Sequence, residues 1–251
     1  MTLAPTLATN SLSSFKASFG RALLLASVGS FVIAAPAVHA QAQGGSVKPG
    51  INDKFLSEAL DVKEWTGKFE GESRQIYTHR KAIVDALKLE DKQRIADVGA
   101  GTGFFSELLS DAVGENGQIW ALEISPNFVE HMKQRFEKAG LKNIEVVENT
   151  DRTTGLAESS IDLAFICDVY HHFEYPDEIL NNLKYVLRGR GSLVVVDFHR
   201  EAGKSEDWVF EHVRASQDVF RKEIESAGFV FVEEVKIKGL DDNYIMRFRN
   251  R

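Results

Sequence analysis

The chain has 251 residues, 43% of them hydrophobic, which is enough apolar material for one sizeable core domain. Its formal net charge of -7 argues against a non-specific binder of nucleic acid or of an anionic membrane surface, while leaving room for a local basic patch. The single cysteine, Cys167, excludes an intramolecular disulfide and, inside the apolar run IDLAFICDV, reads as a small hydrophobe.

Residues 1–21 are rich in Ser, Thr and Ala, with Lys16 and Arg21 and no acid. A mostly apolar run over 22–38 follows, and then small residues at Ala37 and Ala40. This is the tripartite form of a secretory signal peptide, cut after Ala40. The run is short for a membrane span and holds Pro36, so no stable span is expected after cleavage. No twin arginine is present, so a Sec-type route and a periplasmic destination are expected. Residues 41–52 then read as a flexible leader.

Phe55, Leu56, Leu60, Val62 and Trp65 suggest a first helix. Ser73 is placed to cap a second helix starting near Arg74, in which Ile76, Ile83, Val84 and Leu87 have helical spacing and face the core. The centre of the chain is RIADVGAGTGFF, residues 94–105: a short apolar strand, a turn with Gly99, Gly101 and Gly103, and a helix start. Such a turn lets the backbone approach a ligand closely, and the helix N-terminus points its free N–H groups back at it. The spacing is D-x-G-x-G-x-G from Asp97. A dinucleotide fingerprint would need glycine where Phe104 or Ser106 stands, and no G-K-[ST] follows for a P-loop. The next strand ends at Glu123, where an acid can accept the hydroxyls of a ribose.

From Arg94 onward β and α patterns alternate. Strands are expected near 94–98, 118–123, 143–147, 161–166 and 192–197, and helices near 103–112, 126–138, 177–187 and 216–227. Strands separated by helices pair in parallel through right-handed crossovers. The tail GFVFVEEVKIKG and then DNYIMRF reads as two strands joined by a short turn.

With the glycine loop DVGAGTG and Glu123 in place, the chain resembles the class I S-adenosylmethionine-dependent methyltransferases from about Phe69 to the C-terminus. The resemblance implies a Rossmann-like seven-stranded sheet with helices on both faces and an antiparallel C-terminal strand, built from residues 93–251. It implies S-adenosyl-L-methionine as cofactor, its methionine part held by Asp97, Gly99, Gly101 and Gly103 and its ribose by Glu123. Residues 53–92 would lie across the cofactor cleft. The segment F-E-x-x-S-R-x-I-Y-x-x-R is similar to one in related sequences, and this suggests that Arg74, Tyr77 and Arg80 line the pocket, an arginine pairing with the cofactor carboxylate. The adenine contact falls on Asn149 or Asp151, unless that stretch is only a turn. The LRGRG run resembles the family's turn before strand five, with Arg188 and Arg190 in place of the usual proline and glycine.

CDVYHHFEYPDEI, residues 167–179, leaves the carboxyl end of strand four, where an α/β enzyme places its chemistry. Asp168 belongs to the cofactor set, and Tyr170, His171 and His172 are the catalytic candidates. One histidine would be a general base for the acceptor, and Tyr170 and Tyr175 would form an aromatic wall. A structural histidine bonded to a carbonyl is the competing explanation. A metal set of Asp168, His171 and His172 is set aside, because adjacent histidines on one short turn are poor tetrahedral partners; no metal is expected. Asp197 and His199 leave the carboxyl end of strand five; His212 and Arg214, in EHVRASQDV, follow a loop and are placed to reach a substrate, with Phe198, Trp208 and Phe210 equally placed to close an apolar pocket.

The expected activity is methyl transfer to a small molecule by an exported enzyme, which would need cofactor supplied outside the cytoplasm. A non-catalytic S-adenosylmethionine-binding protein and an NAD-dependent oxidoreductase are the alternatives. Nucleic acid is disfavoured by charge and by the absence of an N-P-P-Y-type loop after strand four; oligomeric state is open.

Overall fold

The computed structural model describes residues 45–251. The proposed signal peptide lies outside the described residues. Among the described residues no helix is long and apolar enough to cross a membrane.

Seven strands form one sheet: β1 (Arg94–Val98), β2 (Gln118–Glu123), β3 (Ile144–Glu148), β4 (Ile161–Cys167), β5 (Leu187–Phe198), β6 (Val230–Val235) and β7 (Asn243–Arg249), in the order β3-β2-β1-β4-β5-β7-β6. β1 to β5 pair in parallel, and β7 runs antiparallel between β5 and β6. The helices are α1 (Asp53–Leu56), α2 (Val62–Phe69), α3 (Gln75–Thr78), α4 (Arg80–Leu87), α5 (Phe104–Val113), α6 (Pro126–Ala139), α7 (Pro176–Val186), α8 (Asp207–His212) and α9 (Gln217–Ser226).

Strand alternation puts helices on both faces. Ile95, Ile119, Leu163, Phe165, Val194 and Val196 point to α4 and α5. Their neighbours Ala96, Val98, Leu122, Ala164, Ile166 and Val195 point to α7 and α9. Central strands buried on both faces explain the continuous apolar runs in the sequence. Pro126 and Pro176 each stand at the first turn of a helix, where the missing N–H costs nothing.

Five local expectations are corrected. The first helix is two, α1 and α2, because Asp61 caps a new start by accepting the N–H groups of Lys63 and Glu64. The second also divides, with the cap residue Arg74 opening α3 and α4 beginning at Arg80. The leader is fixed from Ser46 on: Ser46 Oγ donates to Glu174 Oε2 at 2.6 Å, Val47 N donates to Glu174 O at 2.9 Å, and Ile51 and Asn52 are buried. Pairing of β5 with β4 starts at Leu187 and jumps from Ile161↔Leu187 to Leu163↔Ser192, so the LRGRG turn is a bulge inside the strand, with Arg190 at φ +69°. The short helix α8, read as loop in the sequence, presents His212 in its last turn.

Candidate active site

The carboxyl ends of β1, β2, β4 and β5 each carry a buried acid, Asp97, Glu123, Asp168 and Asp197, along the edge of a cavity of about 730 Å³. Three of them, Asp97, Glu123 and Asp168, are on the cavity wall together with Gly99, Gly101, Asn149, Asp151, Arg74, His171 and His172. This volume is in the range of small-molecule and cofactor clefts.

The glycine loop is built for close approach at one end only. Gly101, at φ +57°, opens to the cavity, and a Cβ there would meet only Phe69, at 3.5 Å. A Cβ on Gly99 would lie 2.5 Å from Val169, and one on Gly103 2.5 Å from Phe136. Gly103 is not among the described residues on the wall; it lets α5 pack against α6, a structural use in place of the ligand contact expected for it.

Glu123 ties the loop to β2. Its Oε2 accepts the N–H of Gly101 at 2.8 Å, and its Oε1 accepts the N–H groups of Ile124 and Ser125, each at 2.9 Å. Burial raises its pKa, and these bonds oppose that rise. Asp97 accepts from Ser106 Oγ at 2.6 Å; burial, with Glu123 nearby, pushes its pKa up to about 7. Beyond β3, Asn149 Nδ2 donates to Thr150 O at 2.8 Å, while Asn149 Oδ1 and Thr102 Oγ1 are buried with no partner among the described residues. Two unpartnered buried oxygens on a cavity wall are suited to donors from a ligand.

Arg74 lies on the wall but is held by Asp168: its Nη2 forms an ion pair with Asp168 Oδ2, and its Nη1 donates to Phe69 O at 3.3 Å. Asn243 Nδ2 donates to the other Asp168 oxygen at 2.6 Å. Arg74 thus faces a protein carboxylate where a cofactor carboxylate was expected. Burial raises the Asp168 pKa, and Arg74 opposes that rise.

Two tyrosines are corrected. Tyr77 is not among the described wall residues; its ring packs on Phe104 with centroids 5.6 Å apart, and Arg80 stacks over it at 3.9 Å. Tyr170 is fully buried on the α9 side of the sheet, against Phe220, with its hydroxyl donating to Glu223 at 3.1 Å. The turn Tyr170–His172 is a single 3₁₀ turn, which sends neighbouring side chains in different directions: Tyr170 to the core, His171 and His172 to the cavity. Arg214 is bound to Glu223 through both Nη atoms, at 2.7 and 2.6 Å, and shares that core setting.

His171 Nδ1 donates to Asp197 Oδ1 at 2.8 Å, and its backbone N–H donates to Asp197 Oδ2 at 3.1 Å. His172 Nδ1 meets Asn52 Oδ1 at 3.1 Å, and His172 Nε2 meets His212 Nε2 at 3.2 Å. Burial, then the neighbouring His171 and His212, pushes the His172 pKa far down; burial and His171 bring His212 to about 4. Both are neutral at pH 7. The sequence reading placed His212 within reach of a substrate and Asp197 at the end of strand five, but paired neither with the adjacent histidines. The signal for Asp197 was the one that marked Glu123, an acid closing an apolar strand. Phe55, Trp65, Phe69 and Lys54 complete the wall from α1 and α2, within the segment expected to lie across the cleft.

A family profile described as "Methyltransferase domain" matches residues 89–248. The chain belongs to this methyltransferase family. Protein-L-isoaspartate O-methyltransferase of Methanococcoides burtonii is 33% identical over 81 residues, 32% of this chain and 39% of that protein. A probable cobalt-precorrin-6B C(15)-methyltransferase (decarboxylating) of Sulfolobus acidocaldarius is 32% identical over 105 residues, 41% of this chain and 52% of that protein. The matches thus span from about two-fifths to half of the length of these relatives. Among solved structures, a SAM-dependent methyltransferase from Aquifex aeolicus superposes with a TM-score of 0.67 at 23% identity, over 76% of this chain and 99% of that one. A putative methyltransferase of Haloferax volcanii, from its complex with the Trm112 activator, gives 0.65 at 15%, over 80% and 97%. These solved structures share the class I fold with this chain, and its place in a methyltransferase family speaks against the nicotinamide alternative.

Proposed function

We propose that the methyltransferase transfers the methyl group of S-adenosylmethionine to a polar small molecule held at the His171–His172–His212 end of the cavity. The observation that carries this is one chamber with two chemically different ends. The glycine loop, Glu123 and Asn149 line one end, and three imidazoles with Trp208 and Phe198 line the other.

The residues at the first end fit the cofactor. Glu123 has three of its roughly four acceptor positions filled by backbone N–H groups, leaving capacity for a ribose hydroxyl. Asn149 Oδ1 is the acceptor for the adenine amino group, and Asp97 the anion for the cationic methionine part. Bound there, S-adenosylmethionine supplies a methyl carbon made electrophilic by its sulfonium. Aromatic rings of Phe55, Trp65 and Phe69 cover the cavity and exclude water.

At the other end His171 is the better proton acceptor of the two adjacent histidines. Its Nδ1–H is fixed by Asp197, which directs the Nε2 lone pair away from that carboxylate and stabilises the imidazolium formed when Nε2 takes a proton. His172 has only an amide behind it and a pKa pushed far down. In this reading residues 53–92 form the cover and residues 93–251 the catalytic core. The reading also includes export after cleavage behind Ala40, which N-terminal sequencing of the periplasmic fraction tests.

The experiment is a screen of small hydroxyl, thiol and amine compounds with methyl-labelled S-adenosylmethionine. Label in a small product, lost in His171→Asn, supports the reading. Label that enters only protein or nucleic acid overturns it.

A further inference from the structure

The three imidazoles converge more closely than proton acceptance by one of them requires. One ring nitrogen from each of His171, His172 and His212 lies within 4.8 Å of the other two, and His172 Nε2 and His212 Nε2 are 3.2 Å apart. Zinc held by imidazoles at about 2.0–2.1 Å and tetrahedral angles keeps its nitrogens about 3.3–3.5 Å apart. The His172–His212 pair is already close to that separation, and the other two pairs, at no more than 4.8 Å, need to shorten by about an ångström on binding.

The outer nitrogens identify the inner ones. Asp197 only accepts, so His171 Nδ1 carries the hydrogen. Asn52 Nδ2 donates to His172 O at 3.0 Å, which fixes its Oδ1 as the acceptor beside His172 Nδ1. His172 Nδ1 therefore carries a hydrogen too. Both neutral rings then offer a lone pair at Nε2, beside a third imidazole. Outer-shell acceptors that fix the tautomer of inward-facing histidines are the arrangement that surrounds bound metals. His212 is held in turn from its backbone, since Lys48 Nζ donates to the carbonyls of Glu211 and His212.

We propose that His171, His172 and His212 form a site for a zinc-class divalent cation, with its remaining position open to the cavity. Three protein ligands and one open position is the arrangement of a catalytic ion, and imidazole donors suit zinc over magnesium or calcium. Asp168, expected beside the histidines, takes no part, because Arg74 and Asn243 hold it. His212, from a different element, supplies what adjacent histidines on one turn lack. The open position takes an anionic oxygen or sulfur of a small acceptor, whose proton leaves to solvent on coordination. Lys54, on the same wall, favours an anion there. This use of the ion rests on the reading of that end as the acceptor end, and in the loaded protein it replaces proton acceptance by His171. The binding of the ion does not rest on that reading.

The test uses the full chain, stripped with a chelator and titrated with Co²⁺ and then Zn²⁺. The expected result is the strong visible absorption of four-coordinate cobalt, saturating at one ion per chain and erased by zinc. His212→Ala and His172→Ala should each weaken binding about 100-fold, and Asp197→Asn about 10- to 100-fold. Circular dichroism and S-adenosylmethionine affinity serve as folding controls; if His212→Ala does not fold, His212→Gln carries the comparison. No cobalt band in the wild-type chain, or zinc binding unchanged in a folded His212 variant, overturns the inference. Cofactor binding with no metal binding sinks the ion site alone, whereas metal binding with no methyl transfer to any small molecule sinks the proposed function alone.

Discussion

The N–H of Gly101 donates to Glu123 Oε2 at 2.8 Å, so the tip of the glycine loop and the acid of the next strand are one unit. A ribose bound by Glu123 would sit on a carboxylate whose position is set by three backbone donors. Glu123→Gln keeps the shape but presents an amide NH₂ where a carboxylate oxygen accepted. We expect a 10- to 100-fold loss of S-adenosylmethionine affinity by calorimetry, about the worth of a charge-assisted hydrogen bond. An affinity within twofold of wild type would remove Glu123 from the cofactor site.

The loop glycines should separate in their effects. At Gly103 an alanine must adopt φ +82° and push into Phe136 and Met132, which should cost about 2–4 kcal/mol in a denaturant titration. At Gly101 the backbone cost is about 1–2 kcal/mol and the space is open, so Gly101→Ala should stay folded. Its methyl enters the cavity, and cofactor affinity should drop at least tenfold. Equal stability losses with equal affinities would contradict the division of labour between the two positions.

Asp97 gives a pH dependence with a definite sign. Its folded pKa, about 7, is above the unfolded value near 3.8. Between those values the unfolded chain binds fewer protons than the folded one, so this group's contribution to stability is full below about pH 4 and falls as pH rises to 7. Asp97→Asn should flatten that part of the curve in urea titrations from pH 5 to 8. The ionised form suits a cationic ligand, so cofactor affinity should rise with pH from 5.5 to 7 by up to about tenfold per unit. A wild-type affinity that is flat over this range, or that falls, would show that Asp97 does not face the cationic part of the cofactor.

Most of the fold was legible because it is repeated locally. Apolar runs closed by an acid and separated by 3.6-period helices specify a parallel sheet, and the C-terminal hairpin announced itself by two apolar runs around a glycine turn. Glu123 was found as an acid ending an apolar strand, Asp97 from the glycine loop and the resemblance, and Asp168 from the polar cluster after strand four; Asp197 stands in the same position at the end of its strand. What sequence could not show is direction. Tyr170, His171 and His172 are neighbours in the chain, and a 3₁₀ turn sends one into the core and two into the cavity. Nor could spacing reveal that Asn52 and His212, 120 and 40 residues from His172, bond to its two ring nitrogens. Gly103 misled for a related reason: a ligand loop and a tight helix crossing both require glycine, and only the neighbours distinguish them.

Tyr170 offers the sharpest contrast between the sequence reading and the structure. Its ring, a catalytic candidate expected as an aromatic wall of the site, is turned into the core, and its hydroxyl donates to Glu223, which Arg214 also grips with two bonds. Burial, and then Glu223, keep the phenol pKa well above its usual value, so it supplies no phenolate. Tyr170→Phe removes one hydrogen bond and leaves the ring packed on Phe173 and Phe220, while Arg214 still pairs Glu223. The expected stability loss is therefore small, about 0.5–1.5 kcal/mol. Turnover and cofactor affinity should stay within about twofold of wild type, whereas His171→Asn abolishes turnover with affinity retained. A Tyr170→Phe variant of unchanged stability that turned over ten times more slowly would return the hydroxyl to the chemistry and show that the turn reorganises when substrate binds.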